Sequence, residues 1–427
     1  YIATLNTNTL DASNIHYILT NKGSKEAIVE GILSEAANGV SDFDDASKTE
    51  LNTGLKGTYG SIYKIHSTFI PLKGSSEYDL YLFVDENATN TTMGKTFSAG
   101  VAVKAYDRET IGLEMCTNGQ NLSECIISYA NQGSDVSNIY YHDASLTNGA
   151  GDNSYRYAGA NPNNFVCFGS DASPCPTDNL YRIIGVFGEN NHGVTGKQLV
   201  KLIKYDYATS NLLGTDGDYK DSSTPGSTYK GSLSKVDRYY WNSKATNKAS
   251  NTWSTSLLNK INLNTNYLNN IGTTWSNLIE DATWKVSGHS TSAVTPSEMY
   301  TAEITNATKT YGPSDGTSKI GLMYVSDYGF AASPSAWTKI LGDYDGTDAN
   351  GTSIKTINWM YIGHNDWTIS PYSSYSNNVF LLFYLGRVDN GGAFNGCGSR
   401  PVLYLKSSVL YDGGSGTKDS PITLVVW

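Results

Sequence analysis

Residues 359–407 read WMYIGHNDWTISPYSSYSNNVFLLFYLGRVDNGGAFNGCGSRPVLYLKS, and the reading of the whole chain turns on this stretch. Apolar positions (Trp367, Val379, Phe380, Leu382, Val388 and the run Pro401-Val402-Leu403-Tyr404-Leu405) alternate with Tyr, Ser, Asn, Asp and Gly. The apolar set predicts a β scaffold. The residues between make poor cores and good contacts: Tyr offers broad contact area with few torsions to freeze, and Ser, Asn and Gly offer adaptable hydrogen bonding. That is the composition of a paratope. The plainer reading is a Tyr- and Asn-rich surface loop of a secreted β protein.

Composition narrows the partners. The 427 residues include 31 Tyr and 42 Gly, only 16% are charged, and the net charge is −10. Nucleic acid and anionic membrane both demand basic patches, so neither is an expected partner. Six His and five Met leave little for metal or redox chemistry. Cys116/Cys125 and Cys167/Cys175 form two close pairs, each flanking polar turn-formers (TNGQNLSE; FGSDASP), with Cys397 as the odd fifth. Loop disulfides in an oxidising compartment are the expectation for both pairs, because a four-Cys zinc site favours shorter spacings. The longest apolar run, 379–385, is too short to span a bilayer. An opening at Tyr1 without Met reads as a processed chain.

Three segments are expected. Residues 1–108 form a β-sandwich-like domain. In it, Ser24-Lys25-Glu26 caps a helix carrying Ile28, Ile32, Leu33 and Ala36, and strands follow at 61–69, 78–84 and 97–106. Residues 109–150 form a connector. Residues 151–427 form a loop-rich α+β domain that opens with two strands around Cys167/Cys175. Helical stripes (Trp253, Leu257, Leu258, Ile261; then Trp275, Leu278, Ile279, Ala282) follow, and 320–332 returns to strand. The fold class is thus mostly β with α.

Catalytic motifs do not assemble. His142 precedes Asp143 and His364 lies near Asp366, but neither pair has a nucleophile elbow, and the glycines after Gly386 do not follow a strand-to-helix pattern. The expectation is a protein that is not an enzyme. Calcium is the one candidate cofactor. Asp343, Asp345 and Asp348, with Asn350, crowd side-chain oxygens into one loop, though off the alternate-position pattern of helix–loop–helix sites, and Asp216-Gly-Asp218 is a lesser acidic turn.

The RPVLYL run at 400–405, the aromatics 359–367 and the strand NLYRIIGVF at 179–187 together resemble the C-type-lectin fold in its formylglycine-generating-enzyme-like branch. This branch includes bacterial surface proteins and the variable proteins of diversity-generating retroelements. The resemblance covers roughly 150–427. It implies a C-type-lectin-like domain in which the first and last strands pair, setting 181–187 beside 402–405 and displaying 364–399 as a ligand-binding face. Adenine-directed mutagenesis of Asn codons reaches Tyr372, Ser374, Tyr375, Asn377, Asn378, Tyr384, Arg387, Asp389, Asn390, Phe394, Asn395, Cys397 and Ser399, which become the candidate ligand-binding residues. No Glu-Pro-Asn occurs, so calcium-dependent sugar binding is not implied, and one cysteine in the tail does not furnish the pair that formylglycine synthesis uses. The function expected is a secreted or surface-displayed receptor or adhesin whose partner is a protein or glycan on another cell or phage. The alternative is a structural subunit of an extracellular filament or surface layer, self-assembling through edge strands of 1–108.

Overall fold

The computed structural model describes residues 1–66, 77–104, 116–216, 219–220, 237–242, 250–305 and 316–426. It is a mixed fold, 26% helical and 29% strand, with several small sheets. The chain divides into two compact units, Tyr1–Asp107 and Arg108–Trp427.

In the first unit, strands Ala37–Asn38, Tyr59–Lys64, Ile2–Leu5 and Ala99–Val101 make one antiparallel sheet, and Ala27–Ile32, Ile15–Asn21 and Tyr78–Val84 make another. Ile2 of the first sheet shares an apolar cluster with Ile15 and Tyr17 of the second. The helix expected after Ser24 is a strand. Ala27–Ile32 pairs in register with His16–Thr20, and only a single 3-10 turn, Leu33–Glu35, follows. Ile28, Val29 and Ile32 are β-branched, and the neighbouring strand supplies hydrogen bonds that an isolated short helix would lack. The helix of this unit is Asp45–Gly54, where the Asp44 side chain accepts from the Ser47 N–H at 2.7 Å. The strand at 78–84 forms as expected. Those at 61–69 and 97–106 are shorter, Tyr59–Lys64 and Ala99–Val101, and residues 67–69 and 105–106 lie outside the described residues.

The second unit is built on an antiparallel sheet in the order Ile320–Gly321, Val402–Tyr404, Leu199–Lys204, Leu180–Phe187, Ser154–Tyr157, Ile139–His142, with Phe165–Cys167 on the flank of Leu180–Arg182. Every residue of Leu180–Phe187 is buried, including Arg182, whose guanidinium group donates to Asn164 Oδ1 at 2.6 Å and to the Pro162 carbonyl at 2.9 Å. Gly185 permits the close strand contact there, since a Cβ would fall 2.1 Å from the Tyr155 carbonyl oxygen. Residues 181–187 do not pair with 402–405. Leu199–Lys204 lies between them and bonds to both, so the strand neighbour implied by the resemblance is one position off. Nor is 109–150 a free connector. Its helix Leu122–Ala130 buries Leu122, Cys125, Ile126 and Tyr129 in the main core.

Two further expectations change. Segment 320–332 is strand only at Ile320–Gly321, then helix from Val325 to Ala331. The Glu303 carboxyl group accepts the N–H groups of Val325 and Ser326 at 2.9 and 3.1 Å, adding a distant N-terminal partner to the local one, Asp327, which accepts the Tyr324 N–H at 3.0 Å. The first helical stripe gives Leu258–Tyr267, with Trp253 in a 3-10 turn before it, but the second does not hold: of its members the helix Leu268–Ser276 includes Trp275 alone, Ile279 bridges to Leu405, and Ala282 opens the strand Ala282–Trp284. Both disulfides are present, with Cα–Cα distances of 5.6 Å for Cys116–Cys125 and 5.8 Å for Cys167–Cys175. No described helix is long and apolar enough to cross a membrane.

Buried charge ties the framework together. Arg156 bonds Asp152 at 2.7 Å and reaches Asp327 at 3.5 Å, while Lys201 bonds Asp327 at 2.6 Å among the rings of Phe187, Tyr324 and Tyr404. Arg400 Nε donates to Asp366 at 2.5 Å, joining the start of the last central strand to the sheet described next. Such pairs specify geometry more than they stabilise it, because desolvation offsets most of the attraction.

Candidate functional site

Strands Asp366–Pro371, Asn378–Leu382 and Val388–Gly392 form a three-stranded antiparallel sheet. Both of its faces are covered over most of their length: Trp367, Ile369, Val379, Phe380 and Val388 are at most 1% exposed, although Val379 and Phe380 point to opposite sides. The sheet's loops are held largely through their backbone. The buried Asn251 side chain donates to the carbonyls of Tyr375 and Asn378 at 2.9 and 2.8 Å. Tyr361 Oη donates to Tyr384 O at 2.8 Å, Tyr328 Oη to Gly386 O at 2.6 Å, and the Tyr384 N–H to Asn365 Oδ1 at 2.9 Å. Main-chain bonds from Ser373 to His289 and from Ala393 to Asn377 close the other end. Trp241 and Trp367 donate their indole N–H groups to Thr368 and Tyr239 carbonyls, tying the edge strand to the residues beside it.

The candidate contact residues fall into two groups at opposite ends of this sheet. At one end Tyr372 and Tyr375 stack with centroids 5.8 Å apart, and Tyr372 meets Phe380 edge-on at 5.1 Å. Ser374 donates to the Ser290 carbonyl at 3.0 Å, Asn377 is half-buried, and Phe394 and Asn395 follow the adjacent strand end, the first half-buried and the second exposed. At the other end Arg387 lies 4.3 Å over the Phe383 ring and reaches Asp345 at 3.2 Å and Asp389 at 3.4 Å, and Tyr384 is half-buried against Phe383. Five-residue strands separate the ends by about 17 Å. Asp389 and Asn390 lie between, and Asn390 Oδ1 accepts from Asn378 Nδ2 at 2.7 Å. Tyr375, 58% exposed, is the most outward aromatic of the set. Cys397 and Ser399 leave it: they are 3% and 0% exposed, because their strand runs inward beside Tyr239 and toward Arg400.

A depression of about 360 Å³ opens between the two groups. Asp389, Asn390, Asn395 and Cys397 line it, as do Arg238, Asn365 and Phe383, which the sequence reading did not single out. Asn365 and Phe383 lay within the quoted stretch. Arg238 and Asn251 had no signal, being brought in from a distant segment. Beneath lies Asp366, whose carboxyl burial pushes up to about 6 even though Arg400 pulls the other way.

The calcium candidates do not converge. Asp345 is taken by Arg387, and Asp348 accepts from Ser335 Oγ at 2.5 Å and from the Asn350 and Thr352 N–H groups at 2.9 and 2.8 Å, so it closes its own turn. Among the described residues no three His, Cys, Asp or Glu side chains are grouped to hold a metal, Asp343 included. In the other acidic turn, Gly217 and Asp218 lie outside the described residues. Of the two His-Asp neighbours, His142 packs on Phe330 and Trp337, and His364 meets the Tyr207 ring edge-on at 5.1 Å. Comparison with family models, curated proteins and solved structures finds no match to this chain.

Proposed function

We propose that this chain is a secreted or surface-displayed binding protein of the receptor or adhesin type. Its second unit, which we read as C-type-lectin-like, presents the surface around Tyr372–Asn378 and Tyr384–Asn395 to a protein or glycan on another cell or phage. The observation that supports this most is the division of labour in that segment. Framework groups grip the loops by main-chain atoms, while outward side chains such as Tyr375 and Asn395 hold little of the fold. A surface so built accepts substitution without refolding, which suits a hypervariable face. Two disulfides fit an oxidising compartment.

The filament reading draws on one feature of the first unit. Tyr81, Leu82, Phe83 and Val84 are 37–50% exposed along a strand that ends its sheet, an edge a neighbour's strand would extend. Binding of the full chain to intact cells or phage particles separates the two. The receptor reading expects Tyr375→Ala/Asn395→Ala to weaken binding at least about tenfold. Undiminished binding by that variant, or ordered filaments from purified protein alone, would overturn it.

A further inference from the structure

We infer that the depression between the two contact groups is a metal-independent carbohydrate site, sized for a neutral mono- or disaccharide. The inference rests on the binding role proposed above and names the ligand chemistry of that face.

The wall chemistry supports it. A sugar hydroxyl both donates and accepts, so it is best met by planar groups offering each function side by side. Asn365 Oδ1 is occupied by the Tyr384 N–H at 2.9 Å, which fixes that amide and leaves its NH₂ group to donate. Asp389 sits opposite Leu381 on the hollow's side of the sheet, and its carboxylate keeps lone pairs beyond those that meet Arg387 at 3.4 Å and the Asn390 N–H at 2.8 Å. Asn395 adds an exposed amide of its own. The half-buried Phe383 ring offers an apolar surface for the C–H face of a pyranose, and Arg387 braces it from 4.3 Å. One cation, Arg238, and one carboxylate, Asp389, line the hollow, a balance that favours a neutral ligand. Gly391 keeps the floor open: a Cβ there would approach Leu381 Cδ2 to 3.0 Å and Asn395 Nδ2 to 3.4 Å. A volume of about 360 Å³ lies at the small end of ligand pockets, which run from about 300 to 1,000 Å³. A single lining carboxylate does not make a divalent-cation site.

The test is a glycan array probed with the full chain, followed by calorimetry of the best mono- or disaccharide with and without EDTA. Saturable binding, unchanged by EDTA and weakened about tenfold or more by both Asn365→Ala and Asn395→Ala at unaltered melting temperature, is the expected result. Asn395 is exposed, so its truncation is expected to spare the fold, and that variant stays informative if the other unfolds. Sugar binding that EDTA abolishes, or that neither variant weakens, overturns the inference. If no glycan binds while cells or phage are still bound through Tyr375, the carbohydrate assignment falls and the binding face stands. If nothing binds, both fall.

Discussion

Replacing Asn251 by Ala tests whether the display loop is held from below. The side chain is 1% exposed and its amide nitrogen reaches three carbonyls, of which the contact to Tyr372 O at 3.5 Å is too long to count. The Asn378 carbonyl keeps a second donor, the Tyr372 N–H at 3.0 Å, so its loss is one shared bond of about 1 kcal/mol. The Tyr375 carbonyl loses its side-chain donor, at a further cost of about 1–2 kcal/mol depending on how readily water reaches it. The sum is about 2–3 kcal/mol from a residue more than a hundred positions away in sequence. Urea unfolding of the full chain, taking the transition of the second unit, measures it. Hydrogen exchange supplies the local readout: the Tyr372 and Ala393 amides, which bond to Asn378 O and Asn377 O, should exchange faster in the variant. A change below about 0.5 kcal/mol with unaltered exchange would refute the reasoning, because the loop would then hold its shape without this anchor.

Truncating Phe380 or Leu403, each fully buried, should cost about 3–5 kcal/mol, whereas Tyr375→Ala should cost under about 0.5 kcal/mol; thermal unfolding that ranked them alike would dissolve the framework–display distinction. Burial raises the Glu303 carboxyl to about 7, from an ordinary value near 4.5, so the folded state holds a proton that the unfolded state has released between those values. Its ionisation therefore costs stability as pH rises through that window, and Glu303→Gln, which escapes the cost, should gain on the native protein between about pH 5 and 8 by roughly 1–3 kcal/mol. A native-minus-variant difference that is flat with pH would show that the site is less dry than it looks. Cys167 and Cys175 should resist thiol labelling in the native protein, and reducing that short loop should cost about 2–3 kcal/mol; labelling of Cys167 without reductant would contradict the pairing.

The elements that the sequence announced are those whose signal is local. Alternation at 78–84 gave a strand, the strand expected at 179–187 is present as Leu180–Phe187, and close cysteines with turn residues gave both disulfides. Failures share a cause, a distant partner overriding local pattern. Residues 27–32 read as a helix from the spacing of Ile28, Ile32 and Leu33, but the neighbour at 15–21 supplies strand hydrogen bonds instead. Residues 325–331 form a helix whose N-terminus is held both by the local Asp327 and, from outside, by Glu303. Composition marked 364–399 as the candidate contact stretch, but the division of its residues into two ends depends on strand pairing, and Arg238 and Asn251 approach it through tertiary structure alone. Cys397 and Ser399 share the composition of the display segment and lie inside the fold, since codon chemistry carries no information about burial.

Sequencing the coding locus across natural isolates tests the central claim most directly. The account predicts that replacements concentrate at outward positions (Ser374, Tyr375, Tyr384, Asn390 and Asn395) while Asn251, Phe380, Val388 and Leu403 stay fixed, and that a near-copy of the 364–399 coding region accompanies a reverse transcriptase gene nearby. Replacements spread evenly over surface and framework, or a display segment no more variable than the rest of the chain, would contradict it.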